Sequence, residues 1–91
     1  MWYHIYVSKY ERLLNKVKSS PKHVSLTELI KLMELIGFTW RRGSKNHCVF
    51  YYKSMTIGVA PPHSERFVKP IYVRICLKAI DEVIKNDNEK K

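Results

Sequence analysis

His47 stands between a basic, polar stretch, Arg41-Arg42-Gly43-Ser44-Lys45-Asn46, and an apolar run, Cys48-Val49-Phe50. A core strand ordinarily opens with an apolar side chain, so an imidazole at its entrance calls for an explanation. Imidazole ordinarily titrates near neutrality, which suits it to take up or release a proton in water. Arg41, Arg42 and Lys45 would favour a phosphate-bearing substrate, with Ser44 as a hydrogen-bond donor. These residue types fit one reaction well. An RNA 2′-hydroxyl that loses its proton can attack the adjacent phosphorus and leave a 2′,3′-cyclic phosphate. Neighbouring cations would favour neutral imidazole and stabilise the charge building on the phosphoryl oxygens. A histidine at a strand entrance also fits a surface or hydrogen-bonded structural role, and the residues alone leave both readings open.

Further candidates lie downstream. His63 could assist as a second acid, bind phosphate, or simply order its loop. Arg41 or Arg42, Lys45, Lys53, Lys69 and the outer face of the last helix would make an RNA surface whose binding is salt-dependent and weakly sequence-selective. Tyr51, Tyr52 and Phe67 could stack on unpaired bases or serve the core, the latter being the better use of Phe67. His4 and His23 have no chemical context and read as surface residues. A two-metal nuclease needs clustered carboxylates, and from Phe38 to Lys78 there is one acid, Glu65, against eight Lys and Arg. Cys48 and Cys76 sit in apolar patterns without zinc-type spacing, so they read as buried, reduced thiols. No metal and no cofactor are expected.

The elements that must position these groups follow from periodicity. Ser8 to Ser19 reads as a helix with Tyr10, Leu13, Leu14 and Val17 on one face. Ser25-Leu26-Thr27-Glu28 fits a capping box, opening a second helix through Leu29, Ile30, Met33 and Ile36 to a C′ glycine, Gly37. Strands are expected at Phe38–Arg41, Cys48–Tyr52 and Thr56–Val59, the first two joined by Gly43-Ser44-Lys45-Asn46 and the last two by Lys53-Ser54. If Cys48 and Phe50 face the core, alternation would turn His47 and Val49 to the open face. Ala60-Pro61-Pro62 opens a loop to Lys69, and Pro70 suits the first turn of a last helix. Its apolar face would be Tyr72, Ile75, Cys76, Ala79, Ile80 and Val83, with Asn86 to Lys91 a frayed polar tail. The fold class is α+β in the order α-α-β-β-β-α, a three-stranded antiparallel sheet with helices on one face.

Bulk properties set the frame. Ninety-one residues, 45% of them apolar, make one small domain. No apolar run approaches the roughly 18 residues of a membrane span, and the N-terminus lacks the charged region and cleavage site of a signal peptide, so a cytoplasmic protein is expected. The net charge of +9 is segregated, with eight Lys and Arg against Glu65 between Phe38 and Lys78, and points to a polyanionic partner.

From about Ser25 to Glu82 the chain resembles the HicA (YcfA-like) family of small toxins, which are ribosome-independent mRNA interferases. Leu35-Ile36-Gly37-Phe38 looks like the family's short helix running into glycine-phenylalanine. Arg41 to Phe50 resembles its arginine-glycine-serine-histidine turn and apolar strand, and Pro61-Pro62-His63 is similar to its proline-x-histidine loop. Val68 to Ile80 looks like its last helix. The resemblance implies a double-stranded-RNA-binding-like fold, cleavage of mRNA with His47 as the functional histidine, and inhibition by a HicB-type antitoxin. The pattern departs at Lys45-Asn46, which either lengthen the turn or occupy the glycine-serine positions. On this frame residues 25–85 are the core, 1–24 an N-terminal extension with a helix, and 86–91 the tail. Two other readings stay open. One is a non-catalytic RNA-binding module; the other is an interaction domain using Trp2, Tyr3, Ile5 and Tyr6, with the chain a monomer or homodimer.

Overall fold

The computed structural model describes residues 9–89. The apolar N-terminal segment and His4 lie outside them. Three helices and three strands follow in the order α1 (Lys9–Ser19), α2 (Leu26–Ile36), β1 (Thr39–Arg42), β2 (Cys48–Tyr52), β3 (Met55–Val59) and α3 (Pro70–Glu89). The strands form an antiparallel meander, β1-β2-β3. The α+β class and the α-α-β-β-β-α order are as the periodicity indicates.

The sheet buries one face. Phe50 pairs with Trp40 and Ile57, and Cys48 with Arg42 and Val59. Phe50, Cys48, Ile57 and Val59 are buried on that face beneath α2 and α3. The alternate rows, Thr39-Tyr51-Thr56 and Arg41-Val49-Gly58, lie on the other face, where all but Val49 are exposed. Lys53-Ser54 makes the tight β2–β3 turn, with Lys53 in left-handed backbone at φ 52°.

α1 packs chiefly on α2 and sends Leu14 and Val17 into the shared core, where Val24 joins them. Residues 9–24 are therefore part of the core and not an appendage to it. Lys18 reaches Asp81 of α3 at 3.7 Å, and Lys16 pairs with Glu28 at the start of α2.

α3 differs from expectation in its C-terminal end and in its buried face. α3 runs on to Glu89 instead of fraying at Asn86. No Gly or Pro intervenes after Val83, and polar residues continue an exposed helix at little cost. The buried stripe of α3 also includes Val73 and leaves Ile75 45% exposed. Val73, Cys76, Ile80 and Val83 follow the three-four spacing of one helix face, from which Ile75 is rotated away.

The capping box at α2 is complete. The Glu28 amide donates to Ser25 Oγ, and the Ser25 amide donates to the Glu28 carboxylate. At the other end Gly37 takes φ 126°, a region closed to most side chains, and a Cβ there would stand 3.2 Å from the Tyr52 ring. This glycine turns the chain directly from α2 into β1.

Ser25→Ala should cost about 1 kcal/mol, which in a domain of this size lowers Tm by about 4–8 °C in a calorimetric scan. Glu28 should also write a pH signature into stability. The Lys16 ammonium, and then the Ser25 amide, hold its carboxyl below the ordinary value of 4.5. A lowered native pKa means the folded state releases the proton more readily, so this contribution is present above about pH 4.5 and lost as pH falls through the lowered value. Denaturant titrations of wild type and Glu28→Gln should separate at neutral pH and converge in acid.

Candidate functional site

Antiparallel topology brings the turn before β2 and the loop after β3 to the same end of the sheet. Because α2 runs back along β1, its first turns arrive there as well. The result is a cleft of about 560 Å³ between Leu26, Thr27 and Ile30 on one side and Arg42, Lys45 and His47 on the other, closed by Pro61, Pro62 and His63. Trp40 and Cys48 line its interior wall. No acidic side chain among the described residues lines it. Neither Lys16–Glu28 nor Lys18–Asp81, the ion pairs seen, involves a cleft base.

The geometry of His47 is set by the turn before it. Lys45 (φ 57°, ψ 31°) and Asn46 (φ 63°) are both left-handed, and the His47 amide donates to the Ser44 carbonyl at 3.1 Å. Two successive left-handed corner residues closed by such a bond make a type I′ hairpin turn, whose twist matches that of the flanking strands. The Gly43 amide donates to the His47 carbonyl at 2.7 Å and closes the turn just beyond the last paired residues, Arg42 and Cys48. Lys45-Asn46 therefore occupy the turn corners, and asparagine is among the residues that tolerate this conformation best.

The Ser44 carbonyl has a second contact, His47 Nδ1 at 3.1 Å. A carbonyl oxygen only accepts, so Nδ1 carries the hydrogen in this bond. In neutral imidazole the lone pair then lies on Nε2. No hydrogen bond from the described residues reaches Nε2. The turn thus favours the Nδ1–H tautomer and fixes the orientation of the ring.

His47 is half-buried and belongs to the helix-side cleft, not to the open face that strict alternation implied. It precedes the first paired residue of β2, where the turn has released it from the pleat. The two arginines part company: Arg42 falls in the inward row with Cys48 and lines the cleft, whereas Arg41 falls in the opposite row with Val49. Arg42 lies close enough to oppose part of the upward shift that burial imposes on the Cys48 thiol. Burial, and then the neighbouring Cys48, pushes Cys76 up to about 12. Both thiols are free and protonated at neutral pH, hence poor nucleophiles.

Ser44 contributes its carbonyl, and its side chain does not line the cleft. Lys53 is at the opposite end of β2, about five residues or roughly 17 Å away, with its ammonium 5.6 Å above the Tyr52 ring. Lys69 borders the adjoining hollow with His63. Trp40 and Thr27 are cleft residues that sequence reasoning did not pick out, and the capping box that places Thr27 in the first turn of α2 was the available signal.

No family model, no curated protein and no solved structure matches the chain.

The turn can be tested apart from the chemistry. Asn46→Gly should keep the left-handed corner and leave stability within about 0.5 kcal/mol of wild type. Asn46→Val should cost about 1–2 kcal/mol, because a β-branched residue resists this backbone. The His47 imidazole signals in NMR should keep their Nδ1–H tautomer in the first variant and lose it in the second.

Proposed function

We propose that the chain is a HicA-type, metal-independent endoribonuclease that uses His47 as general base. The observation that carries this reading is the bond from His47 Nδ1 to the Ser44 carbonyl, which leaves Nε2 as the proton acceptor in a basic cleft. Nε2 takes the proton of a 2′-hydroxyl, the 2′-oxygen bonds to phosphorus, and the 5′-oxygen of the next nucleotide leaves. Arg42 and Lys45 offset the negative charge on the phosphoryl oxygens. His63, the other imidazole lining the cleft, supplies the proton that the leaving oxygen needs. The donor set favours proton transfer over metal chemistry, since two-metal hydrolysis draws on carboxylates and the cleft offers two imidazoles, an arginine and a lysine.

The order α2-β1-β2-β3-α3, with helices on one face of the sheet, agrees with the double-stranded-RNA-binding-like fold that the resemblance implies. A HicB-type antitoxin would inhibit by covering this cleft with acidic or aromatic groups. A second reading draws on the same bond: Nδ1–H to Ser44 also braces the turn, so His47 could be structural in a non-catalytic RNA-binding module.

Cleavage of a labelled single-stranded RNA in EDTA separates the two. Wild type, freed from its partner, should cut and leave a cyclic phosphate, and His47→Ala should be slower by about 10²–10⁴-fold. Equal rates would remove His47 from the mechanism. Salt-dependent binding by both proteins without scission would establish the module.

A further inference from the structure

The cleft does not end at His63. Pro61, Pro62 and His63 also line a second hollow of about 300 Å³, which extends to Glu65 and Lys69. Glu65 and Lys69 in turn border a third, of about 250 Å³, reaching Lys22, Arg66 and Phe67. The shared walls place the three hollows next to one another over the loop between β3 and α3, where together they form a track. Its cationic side chains are Arg42, Lys45, Lys69, Arg66 and Lys22, against the single acid Glu65.

The far end is built rather than loose. The Val68 amide donates to the Val24 carbonyl at 2.8 Å, tying this loop to the connection between α1 and α2, and both valines are buried. Lys22 and Arg66 flank that tie and are exposed. The Arg66 guanidinium lies 5.5 Å over the Phe67 ring, and the His23 ring meets Phe67 edge-on at 5.2 Å. A guanidinium beside an aromatic ring offers the cationic and π surfaces that unpaired bases can stack on.

We propose that this end is a second RNA-binding site, in which Lys22, Arg66 and Phe67 hold the same single strand several nucleotides away from the phosphate at His47. The proposal rests on the reading of the cleft as an RNA site and adds to it the substrate class: an extended single strand. An A-form duplex presents its bases stacked and paired, so it offers nothing to the Arg66–Phe67 surface. The lysines and arginines grip phosphates along the track, and the stacked base fixes the strand's position.

The test uses His47→Ala as the parent, so that binding is measured without scission, with fluorescent oligoribonucleotides from dinucleotide to dodecamer. Affinity should rise with length until the track is filled. Adding Lys22→Gln and Arg66→Gln should weaken the dodecamer and lower its salt slope by about 1.4, or about 0.7 for each lost phosphate contact. Phe67→Leu keeps an apolar side chain and should weaken the dodecamer about fivefold or more through lost stacking. Dodecamer affinity unchanged by all three substitutions would overturn the proposal, as would equal binding of a duplex of the same sequence. The nuclease reading fails separately: if wild type does not cut RNA but length-dependent binding is lost on substitution at Lys22 and Arg66, the track stands and the catalytic role of His47 falls.

Discussion

The arrangement depends on β2 burying alternate side chains. Phe50 is fully buried, with Cys48 beside it, and both face α2 and α3. Truncating a buried phenylalanine costs about 3–5 kcal/mol, a large share of the about 5–15 kcal/mol that holds a domain together. Slipping the strand by one residue would put Val49 and Tyr51 inside and expel Phe50. Register is therefore strongly specified, and β1 inherits it through pairing. Arg42 must then stand opposite Cys48 on the cleft side, and Arg41 opposite Val49 on the other. An apolar contact in the core thus decides which of two adjacent arginines lines the cleft.

Beyond the last paired residue the pleat no longer governs, and the turn does. The Ser44 carbonyl accepts from both the amide and Nδ1 of His47, so backbone conformation and imidazole orientation share one acceptor. The left-handed corners at Lys45 and Asn46 make that possible by folding the chain back within two residues. An L-residue in this region costs about 1–2 kcal/mol. Asparagine reduces the cost at its corner, and lysine accepts it while gaining a place for its charge at the cleft mouth.

Much of the architecture was legible because local signals agreed. Ser25 and Glu28 announce the start of α2, Gly37 its end, and Lys53-Ser54 the second hairpin turn, and each is realised. The side His47 occupies was not legible from alternation, since that rule holds only for residues in the ladder. The separation of Arg41 from Arg42 needed the pairing register, which is a tertiary fact. Lys53 looked equivalent to Lys45 as a charge near a tyrosine-rich strand, yet the two sit at opposite ends of β2. The exposure of Ile75 and burial of Val73 show the same limit, for several apolar stripes fit α3 and only the packing of its neighbours selects one.

Charge segregation gains its physical sense from this geometry. Lys16 and Lys18 of α1 pair with Glu28 of α2 and Asp81 of α3. Arg42, Lys45, Arg66 and Lys69, with Lys22, line neighbouring hollows whose one acid is Glu65. Concentrating like charge along one surface raises the free energy of the folded chain through self-repulsion, a cost that a bound polyanion relieves by displacing counterions. The shape of the hollows matters as much as their sign. A lysine scattered on a convex surface meets one phosphate at a time, whereas a concave track holds several in sequence. In the function proposed, contacts distant from His47 would position the bond to be broken, because each phosphate held along the track restricts where the next one can lie.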